Sequence, residues 1–250
     1  MNRIDRLFET KKDGVLSVYY TAGYPECDDT VPVLLELASC GVDMVEIGMP
    51  FSDPVADGPL LEQANQRAIR NGMSLTRLFG QLEGIRDKTG IPLLLMGYLN
   101  PVLRFGIERF CNKAAETGVD GIILPDMPVE EYTRLFRKHF EENGLCPVFL
   151  ITPQTTEDRI RMIDGTGKGF IYMVSVSSTT GERQGFSPEQ TGYFRRIREM
   201  DLKLPRLIGF GISDKRAYEE ACRHASGAII GTAFVRHIAD PAAFIRSIRN

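Results

Sequence analysis

Residues 43–59 read DMVEIGMPFSDPVADGP, a short apolar run followed directly by an acidic, proline-rich loop. The run at 43–48 has the length and apolar character of a buried strand, yet Glu46 lies inside it. A carboxylate is rarely buried without a partner, because desolvation disfavours its charge or raises its pKa. The loop adds Asp53 and Asp57 immediately afterwards. The stretch therefore predicts an acid/base site at the carboxyl end of a strand.

Apolar runs of this kind recur along the whole chain. The predicted strands are 15–21, 43–48, 92–98, 121–125, 147–151, 169–175, 206–209 and 228–230. Most are continuously apolar, which is typical of a parallel sheet covered on both faces. Amphipathic helices are predicted between them at 31–39, 75–88, 108–117, 130–143, 156–164, 188–200 and 215–223, with N-caps at Asp29, Ser74, Ser187 and Ser213.

Eight strands alternating with helices in 250 residues predict an α/β fold, a (β/α)8 TIM barrel that spans 1–250 as a single domain. Residues 4–10 form an extra N-terminal helix that we expect to cover the bottom of the barrel. A doubly wound open sheet is the main alternative, but no G-x-G-x-x-G motif follows the first strand.

Composition narrows the possible partners and compartment. The formal net charge is −3, which gives no electrostatic footprint for nucleic acid. No apolar run reaches membrane-spanning length, and the first residues lack a signal-peptide core. The five cysteines are scattered and include no C-x-x-C pair, so neither a disulfide framework nor a zinc site is indicated. These features predict a cytoplasmic protein without a bound metal.

The last two strands are followed by glycine-rich segments, GFGIS at 209–213 and GTA at 231–233. In barrels, the loops after strands seven and eight often bind phosphate through backbone N–H groups. A tight turn is the simpler explanation for Gly-x-Gly alone, but two such segments at neighbouring strand ends favour a phosphate site. The polar loop 175–187 is interpreted as a mobile lid, on which Gly181 could supply a further N–H group.

The opposite side of the predicted pocket carries the carboxylates. Glu46 and Asp57 could act as a pair with different pKa values, one donating and the other accepting protons. A buried ion pair is the alternative for Glu46, and turn capping is the alternative for Asp53 and Asp57. The acidic loop could hold Mg²⁺, but no second carboxylate cluster supports a metal. The strand residues expected to line the pocket wall are Tyr19, Met96, Ile123, Phe149 and Tyr172.

These motifs resemble those of one family, the alpha subunit of tryptophan synthase. The resemblance rests on EIGMPFSDPVADGP at 46–59, PDMP at 125–128 and GFGIS at 209–213, in the expected order, and it covers essentially the whole chain. It implies a barrel lyase of tryptophan biosynthesis that cleaves indole-3-glycerol phosphate to indole and glyceraldehyde 3-phosphate.

The resemblance also implies a role for individual residues. Glu46 would be the general acid/base at the indole C3 and the glycerol hydroxyl, and Asp57 would accept a hydrogen bond from the indole N–H. Thr180 would be the lid residue that closes onto Asp57. The indole pocket would contain Tyr19, Met96, Ile123 and Tyr172. The phosphate site would contain Gly181, Gly211, Gly231 and Thr232.

By the same resemblance, the chain docks onto a beta subunit in an alpha2beta2 heterotetramer and passes indole to it. Pyridoxal phosphate would belong to that partner, so no cofactor is expected in this chain. The expected contact residues are Pro50, Asp53, Asn100, Asp126 and Pro128. Three alternatives remain open: a free-standing lyase with the same residues, a chiefly regulatory partner of the beta subunit, and a different phosphate-binding barrel isomerase.

Overall fold

A closed barrel of eight parallel strands forms the centre of the protein, described by a computed structural model over residues 1–54, 57–175 and 185–250. Each strand pairs with the next one along the chain, and the last pairs with the first. The predicted (β/α)8 barrel is therefore confirmed. The strands are β1 Val15–Thr21, β2 Met44–Gly48, β3 Leu93–Met96, β4 Gly121–Ile123, β5 Cys146–Ile151, β6 Ile171–Val174, β7 Arg206–Gly209 and β8 Gly227–Ile230.

Helices surround this barrel and cover its outer face. They are α1 Arg3–Thr10, α2 Thr30–Ser39, α3 Pro59–Arg70, α4 Leu75–Leu82, α5 Leu99–Phe105, α6 Ile107–Glu116, α7 Val129–Glu131, α8 Arg137–Glu142, α9 Glu157–Thr166, α10 Pro188–Glu199, α11 Lys215–Cys222, α12 Thr232–Arg236 and α13 Pro241–Arg249. A π-helical turn, Tyr132–Phe136, connects α7 to α8.

Helix α1 closes the amino-terminal end of the barrel, as the sequence predicts. Ile4 is completely buried and Phe8 is nearly so, and both pack with the side chains that fill the barrel interior. A Cβ atom at Gly121, the first residue of β4, would lie 2.9 Å from Ile4 Cδ1. The absence of a side chain on β4 therefore lets α1 pack closely against the strands.

The strands alternate between an inner and an outer face, and this alternation positions the carboxylate of β2. Met44 packs in the barrel interior, so Glu46, two residues further on, also faces inward. Glu46 pairs in register with Tyr19 of β1 on one side and with Leu94 of β3 on the other. The acidic side chain therefore lies on the inner face of a barrel whose other inward residues are mostly apolar.

A buried ionic network stabilises the amino-terminal end of the barrel, on the side opposite the carboxyl ends of the strands. The Asp120 carboxylate, 3% exposed, accepts hydrogen bonds from Arg3 at 3.0 Å, from Arg86 at 2.6 Å and from the Leu93 N–H at 2.9 Å. Burial lowers the pKa of Arg86, and Asp120 opposes that shift. Asp120 thus connects α1, the segment after α4 and two strands.

We expect Asp120→Ala to lower the free energy of unfolding by about 3–5 kcal/mol, because it removes the carboxylate that neutralises the largely buried Arg86 and leaves that charge with carbonyl partners only at Gly118, Thr89 and Ile91. Urea unfolding monitored by circular dichroism measures this change. The matched control is Asp28→Ala, which removes a pair with Arg77 whose Asp side chain is 85% exposed. The control should barely change the unfolding midpoint. Equal midpoints for the two variants would contradict a stabilising role for the network.

Candidate active site

A cavity of about 650 Å³ opens at the carboxyl ends of the strands, and a second one of about 400 Å³ adjoins it. The two share part of their lining, including Tyr19, Asp57, Met96 and Phe210. Together they have the size of a site for a small organic ligand. Their position agrees with the general rule that barrel enzymes bind ligands on the loops after the strands.

Glu46 is completely buried beside Tyr19, a residue of the cavity wall. Ser17 donates a hydrogen bond to Glu46 Oε1 at 2.8 Å, whereas Oε2 has no hydrogen-bond partner among the described residues. Burial raises the pKa of Glu46 to about 8, and the Ser17 hydrogen bond lowers it in part. Such a carboxyl group can donate or accept a proton near neutral pH. No described residue forms the buried ion pair that was the alternative explanation for Glu46.

Asp57 lines both cavities and is held by Asn65 of helix α3. Asn65, 3% exposed, donates to Asp57 Oδ2 at 3.2 Å and to the Leu61 carbonyl at 2.8 Å, and its Oδ1 accepts from the Phe51 N–H at 3.2 Å. Burial raises the pKa of Asp57, Asn65 lowers it, and the nearby Glu62 raises it. Asn65 therefore connects both ends of the acidic loop to one buried helix position.

Tyr19 and Tyr172 lie close to both carboxylates. Each has a raised pKa, chiefly because of burial, and the charges of Glu46 and Asp57 both contribute to the increase. Glycines leave room for the two rings: a Cβ atom at Gly48 would collide with the Tyr19 hydroxyl, and one at Gly209 would collide with the Tyr172 hydroxyl. The inner face thus presents two aromatic rings next to the acid/base pair.

The loops after β7 and β8 form the other end of the large cavity. Gly211, Gly231 and Thr232 line it, and the cationic side chain of Arg236 lies at the same end. Phe210 has φ +67°, a conformation that is uncommon for a residue with a side chain.

Ser175 and Tyr172 hold this unusual loop in place. The Ser175 hydroxyl donates to the carbonyl oxygens of Gly209 and Phe210, and the Phe210 ring packs edge-on against Tyr172 at 5.9 Å between centroids. Phe210 therefore projects into the cavity. The glycines here are among the residues predicted to bind phosphate, whereas Phe210, Ser175 and Arg236 are not.

The predicted pocket residues are only partly brought together. Tyr19, Met96 and Tyr172 line the large cavity, whereas Ile123 is completely buried and packs in the barrel interior. The expectation that Phe149 faces the pocket is wrong. Its neighbour Val148 occupies the inner face of β5, and Phe149 packs outward.

The predicted lid residues Thr180 and Gly181 lie outside the described residues. The residues predicted to contact a partner follow three neighbouring strands: Pro50 and Asp53 come after β2, Asn100 is the second residue of α5 after β3, and Asp126 and Pro128 come after β4. The Leu99 N–H donates a bifurcated hydrogen bond to the two carboxylate oxygens of Asp126, at 2.9 and 3.0 Å, and so connects the loop after β4 to the start of α5. The residues of this set are Pro50, which is partly exposed, and Asp53, Asn100, Asp126 and Pro128, which are exposed. Met49, Gly97 and Pro125, which are close to these residues in the sequence, line the smaller cavity.

Neither metals nor membranes are indicated by the described parts of the chain. Among these residues, no group of three or more His, Cys, Asp or Glu side chains is arranged to hold a metal ion. Within the same ranges, none of the helices has the length and apolar character needed to cross a membrane. All five cysteines are free.

Comparison with known proteins agrees with this geometry over nearly the whole chain. The profile of the family described as "Tryptophan synthase alpha chain" matches residues 6–248. A tryptophan synthase alpha chain from Parabacteroides distasonis is 53% identical over 236 residues, which cover 94% of this chain and 92% of the relative. One from Christiangramia forsetii is 50% identical over 239 residues, covering 95% and 93% respectively.

Solved structures support the same assignment. The crystal structure of the tryptophan synthase alpha chain from Legionella pneumophila matches with a TM-score of 0.89 and 30% identity, and covers 100% of this chain and 96% of that one. An aminoacrylate-bound tryptophan synthase from M. tuberculosis matches with a TM-score of 0.87 and 26% identity, over 99% and 98% of the two chains. From its sequence, its barrel and its site, the chain belongs to the tryptophan synthase alpha chain family.

Proposed function

We propose that Glu46 and Asp57 carry out the lyase reaction of this family. The alpha chain cleaves indole-3-glycerol phosphate to indole and glyceraldehyde 3-phosphate, a carbon–carbon bond cleavage in tryptophan biosynthesis. The main support for these roles is the state of Glu46, which is fully buried, has one oxygen without a partner and has a pKa of about 8. A carboxyl group in this state is largely protonated at neutral pH and can donate its proton to carbon.

In this proposal one proton travels from Glu46 to the substrate and another returns. Protonated Glu46 donates to indole C3, the carbon that bears the glycerol chain, and the ring nitrogen becomes positively charged. The Asp57 carboxylate stabilises that charge by accepting a hydrogen bond from the ring N–H. The Glu46 carboxylate then removes the proton of the hydroxyl group next to C3. The carbon–carbon bond breaks, the aldehyde forms, and the bonding electrons return to the ring as indole.

The rest of the cavity supplies positioning, which must account for much of the rate. We propose that Tyr19, Met96 and Tyr172 contact the indole ring, because all three line the cavity beside the carboxylates. Ile123 would support this wall from behind, within the barrel interior.

The phosphate would bind at the far end of the cavity. Gly211, Gly231 and Thr232 line that end and can offer backbone N–H groups, and Arg236 adds a positive charge nearby. The family resemblance assigns Gly181 to the phosphate site and Thr180 to the lid, and both lie outside the described residues. Phosphate binding at this position leaves the reacting carbon near the carboxylates, because the cavity extends from one set of residues to the other.

We further propose that the chain forms an alpha2beta2 complex with a tryptophan synthase beta subunit. Exposed residues after β2, β3 and β4, among them Asp53, Asn100 and Asp126, are close in sequence to Met49, Gly97 and Pro125 of the 400 Å³ cavity wall, which would suit passage of indole to that partner. Pyridoxal phosphate belongs to the beta subunit in this proposal, and none binds to this chain. The five free cysteines fit a reducing compartment, so we place the enzyme in the cytoplasm as a single-domain subunit.

Indole release from indole-3-glycerol phosphate tests the function directly. We expect slow release by the purified chain alone and a steep increase when a tryptophan synthase beta subunit is added, because the partner contacts the loop that carries Asp57. Fast release without the partner would instead indicate a free-standing lyase. Release in neither condition would overturn the proposed catalysis and leave a regulatory role.

A further inference from the structure

The hydroxyl of Ser17 is hydrogen-bonded to Glu46 but takes no part in the proposed proton transfers. Ser17 and Glu46 are both completely buried, and the Ser17 Oγ lies 2.8 Å from Glu46 Oε1. Ser17 is on β1, two residues before Tyr19, so its side chain shares the inner face with that residue. Val15 and Ile229, its neighbours on this face, are apolar. A hydroxyl group at this position is therefore unusual and has a specific partner.

This hydrogen bond makes the two oxygens of Glu46 unequal. Ser17 donates its proton to Oε1, so Oε1 is the accepting, carbonyl-type oxygen when the acid is protonated. In this arrangement the acid proton would reside on Oε2, which no other described group contacts by a hydrogen bond. The proton that can be transferred is consequently placed on one defined atom.

The other groups around Glu46 leave Ser17 as its main polar influence. Tyr19 from β1 and Tyr172 from β6 interact with it electrostatically, and both have pKa values raised well above neutral, so they are uncharged there. Leu94 faces it from β3. The negative Asp57, on the loop after β2, interacts with the same two tyrosines. Among the described residues, the Ser17 hydrogen bond is the contact that favours the charged form of Glu46.

We propose that Ser17 is a positioning residue of the lyase reaction, which holds Glu46 by Oε1 so that Oε2 delivers and recovers the proton. The inference rests on the proposed role of Glu46. Ser17 is not among the residues that line the two cavities, so it would act through Glu46, whose acid strength should depend on this one hydroxyl group.

The test compares the pH profiles of kcat/KM for wild type and Ser17→Ala. In the wild type we expect kcat/KM to fall as the pH rises through about 8, because deprotonated Glu46 cannot protonate C3. In Ser17→Ala the charged form loses its donor, so this fall should move up by about one pH unit. We also expect kcat to drop on the order of tenfold with little change in KM, because Oε2 is no longer held in place.

Two further variants separate positioning from packing. Ser17→Thr keeps the hydroxyl and should restore the wild-type profile. Thr117→Val removes another buried hydroxyl, which donates to the Lys113 and Ala114 carbonyls of helix α6, and should leave the profile unchanged. If Ser17→Ala does not fold, Ser17→Cys carries the test, since its weaker thiol donor should produce a smaller shift in the same direction.

The outcome that overturns the inference is a Ser17→Ala enzyme, or a Ser17→Cys enzyme in its place, whose alkaline limb coincides with that of the wild type. NMR titration of the Glu46 carboxyl carbon, assigned by its loss in Glu46→Gln, provides a readout that does not depend on turnover. An unshifted titration together with an inactive Glu46→Gln would reject Ser17 alone. Substantial turnover by Glu46→Gln would reject the proposed function itself.

Discussion

Glu46→Gln should reduce indole release from indole-3-glycerol phosphate by about 10²–10⁴-fold, the range in which general acid–base catalysis contributes to enzymatic rates. Glutamine has nearly the same size and can still accept the Ser17 hydrogen bond, but it has no proton to transfer to C3. The measurement is single-turnover indole formation at pH 7, with the beta subunit present and absent. Chemistry is then separated from product release.

Ligand binding and stability show whether this variant is otherwise intact. Calorimetry should give the same affinity for glycerol 3-phosphate, because Gly211, Gly231 and Thr232 lie at the other end of the cavity. Burial raises the Glu46 pKa from 4.5 to about 8, so its contribution to stability is fully present below pH 4.5 and is lost as the pH rises towards 8. Because glutamine does not titrate, the variant should gain stability relative to wild type across that interval.

Near-wild-type turnover in Glu46→Gln would show that Glu46 has a purely structural role. Loss of turnover together with loss of glycerol 3-phosphate binding would point instead to a collapsed cavity. The conservative Glu46→Asp change keeps a carboxylic acid but shortens the side chain by one methylene group. We expect it to retain more activity than the glutamine variant, because a carboxylic acid that lies farther from the substrate can still transfer a proton.

Much of the barrel could be predicted from the chain because continuous apolar runs mark parallel strands covered on both faces. The predicted strands at 15–21 and 206–209 match β1 and β7, and the others differ by a few residues at their ends. Helix N-caps at Ser74 and Ser187 are confirmed by side-chain hydrogen bonds. The cap predicted at Ser213 is wrong: Asp214 holds that position and accepts from the Ala217 N–H, since either residue type can cap a helix.

The site was less predictable because its geometry depends on which face of an element a residue occupies. Its membership of a predicted strand is the sole basis for expecting Phe149 in the pocket. In the structure Val148 faces inward and Phe149 faces outward, so Phe149 cannot line the pocket. The same alternation would have placed Ser17 next to Tyr19 on the inner face. Asn65 could not be assigned to the site from the sequence, because helix α3, which carries it, is not among the predicted helices. The sequence feature that could have identified Asn65 is a polar amide on the buried face of α3, the face that also contains Leu61.

Asp57→Asn should also cause a severe loss of activity, on the order of 10²–10³-fold in kcat, the usual effect of removing one preorganised electrostatic contact. Asparagine is nearly isosteric, and its side-chain oxygen can still accept the hydrogen bond from Asn65, so the loop should keep its position. The missing element is the negative charge that faces the positively charged indole ring. Steady-state and single-turnover indole formation should fall together, with the affinity for glycerol 3-phosphate unchanged.

Glu62→Gln is the matched control for this change, because Glu62 is close enough to raise the pKa of Asp57 yet has no role in the proposed proton transfers. Removing the Glu62 charge should leave activity at pH 7 within about threefold of wild type, since Asp57 keeps its hydrogen bond from Asn65 and its place in the cavity wall. Its loss should also lower the pKa of Asp57, so the acid limb of kcat/KM should move to lower pH. If Asp57→Asn forms indole as fast as Glu62→Gln, Asp57 has no catalytic role and serves only to stabilise the turn. The pair of variants therefore distinguishes a charge that acts on the transition state from one that merely contributes to the local electrostatic potential.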